Sequence, residues 1–180
     1  MIELDGLSLS VEDVVAVALG SEFVQIAPAA LTRMEASRAT VDDAMSGVTP
    51  VYALNTGVGL LASIRLDKDE IRAMQVNLIR SHCCGIGSPL PAPVVRGMML
   101  IRANVLAKGL SGIRTIVAER ICDLLNHHIT PVVPSRGSVG ASGDLAPLAH
   151  MALTLIGEGN AEYQNEVLPS AVCLERAGRQ

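Results

Sequence analysis

The sequence predicts a mainly α-helical fold with small extended and hairpin segments, and three observations carry that prediction. Hydrophobic residues make up 49% of the 180, enough for a sizeable core, yet the chain holds only two Tyr, one Phe and no Trp. The core must therefore be built from Leu, Ile, Val, Ala and Met, side chains that suit helix packing. Apolar residues recur at helical spacing through most of the chain, and Gly and Pro stand between those runs. The length argues for a single domain over residues 1–180, with no internal repeat and no low-complexity segment.

The elements follow in order. Residues 10–19 read as a short helix, with Ser10 in the cap position and Gly20 as the stop. Residues 28–45 read as a second, with Pro28 in its first turn and Leu31, Met34, Val41 and Met45 as the apolar stripe. Residues 50–54 read as short and extended, followed by a glycine-punctuated loop. Asp67 opens a helix running to about Cys83, with Ile71, Met74, Leu78 and His82 on one face. The stretch from Gly85 to Pro89 breaks the chain.

Pro91 or Pro93 starts the next helix, with Val94, Val95, Met98, Ile101, Asn104 and Val105 at helical spacing. Ser111 or Gly112 opens another, which ends near His127 and His128. Residues 130–142 are rich in Pro and Gly and read as irregular. Residues 144–156 form a helix with Ser142 or Asp144 as its cap. Residues 162–168 read as a hairpin around Gln164 and Asn165, and 170–177 as a last short helix.

Several function classes are disfavoured by composition. The net charge of −4 and the scattered basic residues give no electrostatic case for nucleic acid or an anionic membrane. The N-terminus lacks the basic start and apolar run of a signal peptide, and no stretch reaches the roughly eighteen apolar residues of a membrane span. Cys83 and Cys84 are adjacent, and Cys122 and Cys173 sit in helical patterns, so the four do not form a disulfide framework. A reducing, cytoplasmic setting is the expectation. Cys83, Cys84, Cys122, His82, His127 and His128 are metal-ligand types, but no Cys-x-x-Cys pair occurs and neighbouring helical residues point about 100° apart. No metal site is expected. The pairs Gly57/Gly59 and Gly85/Gly87 match no dinucleotide or phosphate-loop fingerprint.

The chemistry concentrates in one string, from Gly137 to His150, centred on Ala141-Ser142-Gly143. Gly143 has no side chain, so its nitrogen can approach the Ala141 carbonyl in a tight turn. Attack there closes a five-membered ring. Loss of water, including the Ser142 hydroxyl, leaves an exocyclic methylene. The product is a 4-methylidene-imidazol-5-one, a carbon electrophile that no side chain supplies. The alternative reading of the tripeptide alone is a flexible loop entering a helix. Tyr52, before a loop holding Asn55, Gly57 and Gly59, reads by itself as a half-buried tyrosine. His82, at a helix end, reads by itself as a charge complementing the helix dipole.

The run from Gly137 to His150 resembles the cofactor-forming signature of the histidine and aromatic amino-acid ammonia-lyases. Two further blocks are similar in the same order. Tyr52-Ala53-Leu54-Asn55-Thr56-Gly57-Val58-Gly59 resembles that family's catalytic tyrosine loop. Asn77 to Gly87 resembles its substrate-contacting helix end, in the form typical of histidine lyases. Weaker similarity continues through Gly112-Ile113-Arg114 and residues 157–161. The likeness covers nearly all of the chain from Val51 onward, but only the first part of the family's much longer chain.

That resemblance implies the N-terminal part of an ammonia-lyase-like helical fold. It implies elimination of ammonia from an L-amino acid, histidine first, with the electrophile made from Ala141-Ser142-Gly143 and no bound external cofactor. Tyrosine or phenylalanine lyases and aminomutases are the alternatives. Tyr52 is implied as the base for the β-proton; a phenol of pKa about 10 is a poor base, so such a site must lower that value or gate the proton loss. His82 and Asn55 are implied as substrate-binding residues, and Asp144 as an aid to ring formation. Two positions depart from the usual loop, Ala53 for Gly and Val58 for Phe. The family builds its site across subunits and from later segments. The chain is therefore expected to act in an oligomer or with a complementing C-terminal polypeptide, or to be an inactive fragment that binds a full-length relative. Residues 91–180 are expected to pack against such further helices.

Overall fold

The computed structural model describes residues 1–179. Strand β1 (Ile2–Leu4), helix α1 (Val11–Ala18) and strand β2 (Val24–Ile26) form a small unit in which the strands pair in parallel, Leu4 opposite Ile26. The Ser10 cap is present: its hydroxyl accepts from Asp13 N, and the Asp13 carboxylate accepts from Ser10 N. The two strands were not foreseen, since three residues each are too few for an alternating pattern to register. Helix α2 (Pro28–Ser46) carries Pro at its start as expected. Of its four-residue stripe only Met34 is fully buried, joined by Ala30.

Residues 50–54 are not extended. Leu54 N and Asn55 N both donate to the Val51 carbonyl, so the chain turns there. Ala53 has φ +58, a left-handed conformation that no strand contains. Helix α3 (Lys68–His82) starts as read, with Asp67 capping in a reciprocal box with Glu70. The two segments read as a break and as irregular contain strands. Strand β3 (Ile86–Pro89) pairs antiparallel with strand β5 (Pro134–Arg136), Ile86 opposite Arg136. The partners lie far apart in the chain, which a local pattern cannot show.

Helices α4 (Ala92–Ala107) and α5 (Thr115–Asn126) form the centre of the core with α1 and β2. Val95, Met99, Leu100, Ala103 and Leu106 of α4 are buried, together with Ile121 and Leu125 of α5. The flank bearing Val94, Ile101 and Val105 is left exposed. Helix α5 begins three residues later than Gly112, because Gly112 has φ +62 and its N–H donates to Ser37 Oγ. The buried Arg96 guanidinium donates to the carbonyls of Val17, Ala18 and Leu125, closing the C-terminal ends of α1 and α5.

Strand β4 (Thr130–Pro131), helix α6 (Leu145–Leu155), strands β6 (Asn160–Tyr163) and β7 (Glu166–Pro169) and helix α7 (Ser170–Arg176) complete the fold. The three strands form one antiparallel sheet in the order β4-β6-β7. The expected hairpin is present, with Gln164 at φ +52 and Asn165 at φ +63, the conformation a two-residue turn demands. Among the described residues no helix is long and apolar enough to cross a membrane.

Candidate active site

The loop 137–144 runs from β5 into α6, and residues 140–142 form its turn. Ala141 and Ser142 are exposed at its tip. Gly143 has φ +73, and a Cβ there would stand 2.8 Å from Ser138 Oγ. The backbone conformation favours glycine, and a Cβ there would have to turn the Ser138 hydroxyl aside. The expected cap is absent as a hydrogen bond: Asp144 holds the N-cap position at φ −109, ψ −7, but its side chain accepts nothing from the helix. Such angles differ from the extended backbone of a capping residue. The Asp144 carboxylate is left exposed at the positive end of α6.

The segment after α3 lies against this loop. Gly85 N donates to His150 Nε2 at 3.1 Å, across from α6. Burial pushes the His150 imidazole below its usual value, which keeps Nε2 free to accept. A Cβ on Gly85 would fall 2.9 Å from that nitrogen, and one on Gly137 would fall 3.2 Å from both Gly85 Cα and Ala146 Cβ. These glycines let two backbone runs touch. At the far end of α6, Arg80 Nε donates to Glu158 Oε2 at 2.9 Å, and Nη2 bonds the other oxygen. The Arg80 guanidinium holds the Glu158 carboxyl below its ordinary value.

His82 Nδ1 stands 2.7 Å from the Leu78 carbonyl oxygen. A carbonyl only accepts, so in the neutral ring the proton sits on Nδ1 and Nε2 keeps its lone pair. Tyr52 is 64% exposed, and its hydroxyl accepts from Gly59 N at 3.3 Å, within its own loop. Asn55 is 2% exposed. Its Oδ1 accepts from Val51 N at 2.7 Å, and Nδ2 donates to the Thr49 and Ala44 carbonyls at 3.0 and 3.3 Å. The amide is spent on backbone, so here Asn55 holds the Tyr52 loop. The structure therefore joins the His82 segment to the two ends of the 137–150 run, at Gly137 and His150. Among the described residues no hydrogen bond joins the Tyr52 loop to that segment or that run.

An open groove of about 440 Å³ flanks the loop. Gly143 and Asp144 form one side, and Met98, Ile101, Arg102 and Val105 of α4 the other. Among the described residues no group of three or more His, Cys, Asp or Glu is placed to hold a metal ion.

The sequence profile of the family described as aromatic amino acid lyase matches residues 9–180. The chain belongs to that family. The histidine ammonia-lyase of Myxococcus xanthus (strain DK1622) is 54% identical to this aromatic-lyase chain over 177 residues, 98% of the chain and 35% of the relative. The chain thus spans about a third of the length of the curated relative it matches. Ergothionase of Treponema denticola, an ergothioneine-degrading enzyme crystallised with desmethyl-ergothioneine sulfonic acid, superposes with a TM-score of 0.94 at 35% identity, over 99% of this chain and 36% of that one. The histidine ammonia-lyase of Trypanosoma cruzi gives 0.86 at 33% identity, over 99% and 34%.

Sequence reasoning named Tyr52, His82, Asn55, Asp144 and the tripeptide, but not the residues that fasten them. Gly85, Gly137 and His150 dock α3 onto α6, and Arg80 with Glu158 bolts the other end. All of them lie in the strings that carry the family likeness, Glu158 in the weaker stretch 157–161. What those strings lack is the pairing, which joins residues 65 to 78 positions apart.

Proposed function

We propose that this chain is the N-terminal part of a histidine ammonia-lyase, converting L-histidine to trans-urocanate and ammonia. The observation that carries the reading is the docking of the His82 segment on the 137–150 run that holds Ala141–Gly143, through Gly85 against Gly137 and His150. Family membership and the identity to a histidine ammonia-lyase support the same reading.

The residues fit a 4-methylidene-imidazol-5-one made from Ala141, Ser142 and Gly143. Gly143 holds a left-handed conformation that glycine adopts freely, and the Ser142 hydroxyl makes no hydrogen bond among the described residues. Formed there, the group would supply a carbon electrophile for the substrate amine, making it a better leaving group. Asp144, beside the helix N-terminus, assists the ring closure. His82 offers Nε2 as an acceptor for the imidazole N–H of the substrate. Tyr52 takes the β-proton, and Asn55 holds the loop that presents it. His150 stays neutral and fixes Gly85, so His82 keeps its place relative to the loop.

The exposed flank of α4 supports completion of the site by further chain, in an oligomer or from a C-terminal polypeptide. The test is an assay of histidine, tyrosine and phenylalanine, followed by urocanate or cinnamate absorbance, with and without a co-expressed C-terminal polypeptide. Histidine is expected to be the best substrate of the completed protein, and His82→Leu to shift preference toward phenylalanine. Phenylalanine as the best wild-type substrate would overturn the role given to His82. Inactivity with the partner present would favour a binding or regulatory fragment.

A further inference from the structure

The proposed chemistry leaves the adjacent free thiols of Cys83 and Cys84 unused. All four cysteines are free, and Cys122 and Cys173 are buried. Burial pushes the Cys122 thiol up to about 12, so it stays protonated and inert. Cys84 is exposed and Cys83 half-buried, so both can be reached from solvent at one place.

The backbone there is ordered and tight. Cys84 N donates to the His82 carbonyl at 2.8 Å, and Cys83 has φ −77, ψ +58. That is an inverse γ-turn centred on Cys83. The peptide bond between the two cysteines is trans. Their Cα atoms are therefore about 3.8 Å apart, whereas disulfides usually need about 4.4–6.8 Å. A direct S–S bond would be strained, and strained disulfides are easily reduced. The pair is thus kept as a dithiol. A single bridging atom with two long bonds to sulfur relieves the distance problem that a disulfide cannot.

We propose that Cys83 and Cys84 form a chelating site for a trivalent arsenical, a ligand that takes two thiolates on one atom. The step balances without oxidant or reductant. Each thiol gives up its proton, the arsenic–oxygen bonds of an arsine oxide are exchanged for two arsenic–sulfur bonds, and one water leaves. The site stands outside the reading of the chain as a lyase, because binding depends only on the two thiols and the turn.

The test uses the 180-residue chain and phenylarsine oxide, read by intact mass and by peptide mapping. One phenylarsenic group per chain is expected, mapped to the peptide holding Cys83 and Cys84. A large excess of a monothiol should leave it in place, and a dithiol should remove it. Cys84→Ser should lose the monothiol-resistant adduct, while Cys122→Ala with Cys173→Ala should keep it. An adduct mapped to Cys122 or Cys173 would overturn the assignment, as would a wild-type adduct stripped by monothiol. Peptide mapping on the wild type decides the matter even where a variant folds poorly.

Discussion

A side chain on Gly85 would displace the His150 ring, because Nε2 would lie 2.9 Å from the added Cβ. The same nitrogen accepts the Gly85 N–H, and it does so only while unprotonated. Burial lowers the folded His150 value below 6.5, so the unfolded chain binds a proton that the folded chain refuses. Its contribution is full above 6.5 and is lost as pH falls through the folded value. Hydrogen exchange at the Gly85 amide, corrected for intrinsic rate, should show more frequent opening at pH 5 than at pH 7 in the wild type. His150→Gln should flatten that dependence; unchanged wild-type protection at pH 5 would contradict the account. Ala53 offers a second test at this scale. Its φ of +58 costs a residue with a Cβ about 1–2 kcal/mol. Glycine removes that strain but loses about 0.5–1 kcal/mol in chain entropy. Ala53→Gly should therefore raise stability by up to about 1.5 kcal/mol in urea unfolding. The departure of Ala53 from the family's usual Gly was legible in the sequence, but the strain was not. Nor was the commitment of Asn55, since its partners are carbonyls of Ala44 and Thr49 and carry no residue signature.

At the scale of elements, helix α4 has two apolar faces with different fates. Periodicity alone grouped Val94, Val95, Met98, Ile101 and Val105, but the fold buries Val95, Met99, Ala103 and Leu106 and leaves Val94, Ile101 and Val105 exposed. The second face is equally apolar, so spacing could not choose between them. Met99→Ala is expected to cost about 2–5 kcal/mol of stability, as large-to-small changes in a packed core do. Ile101→Ala, half exposed in this chain, should cost less than about 1 kcal/mol. Chemical denaturation of both variants checks the contrast, and equal losses would mean that the outer face is also packed. The helices were legible because 3.6-residue periodicity and the caps at Ser10 and Asp67 are local. Of the strands only the β6–β7 hairpin was, from Gln164 and Asn165 at its turn; the others are two to four residues long, and β3 pairs with a strand that lies beyond α4 and α5 in the chain. That pairing is what lays the end of α3 beside the run into the reactive loop.

For the whole molecule, the described fold supplies two of the three motif-bearing segments already joined. The Tyr52 loop is held internally by Asn55 and by Arg65, whose guanidinium donates to the Gly47 and Val48 carbonyls. The chain spans about a third of the length of its histidine ammonia-lyase relative. Under the proposed function, ring formation belongs to residues of this chain and turnover to the completed assembly. The central claim is the conversion of Ala141-Ser142-Gly143 into an electrophile, and one measurement reaches it directly. An active preparation is digested, and the peptide containing residues 141–143 is weighed by mass spectrometry beside that of Ser142→Ala. The account predicts a wild-type peptide lighter than its sequence by two waters, an unmodified Ser142→Ala peptide, and ammonia release lowered by orders of magnitude in the variant. A wild-type peptide of unaltered mass, in a preparation that still releases ammonia, would contradict it.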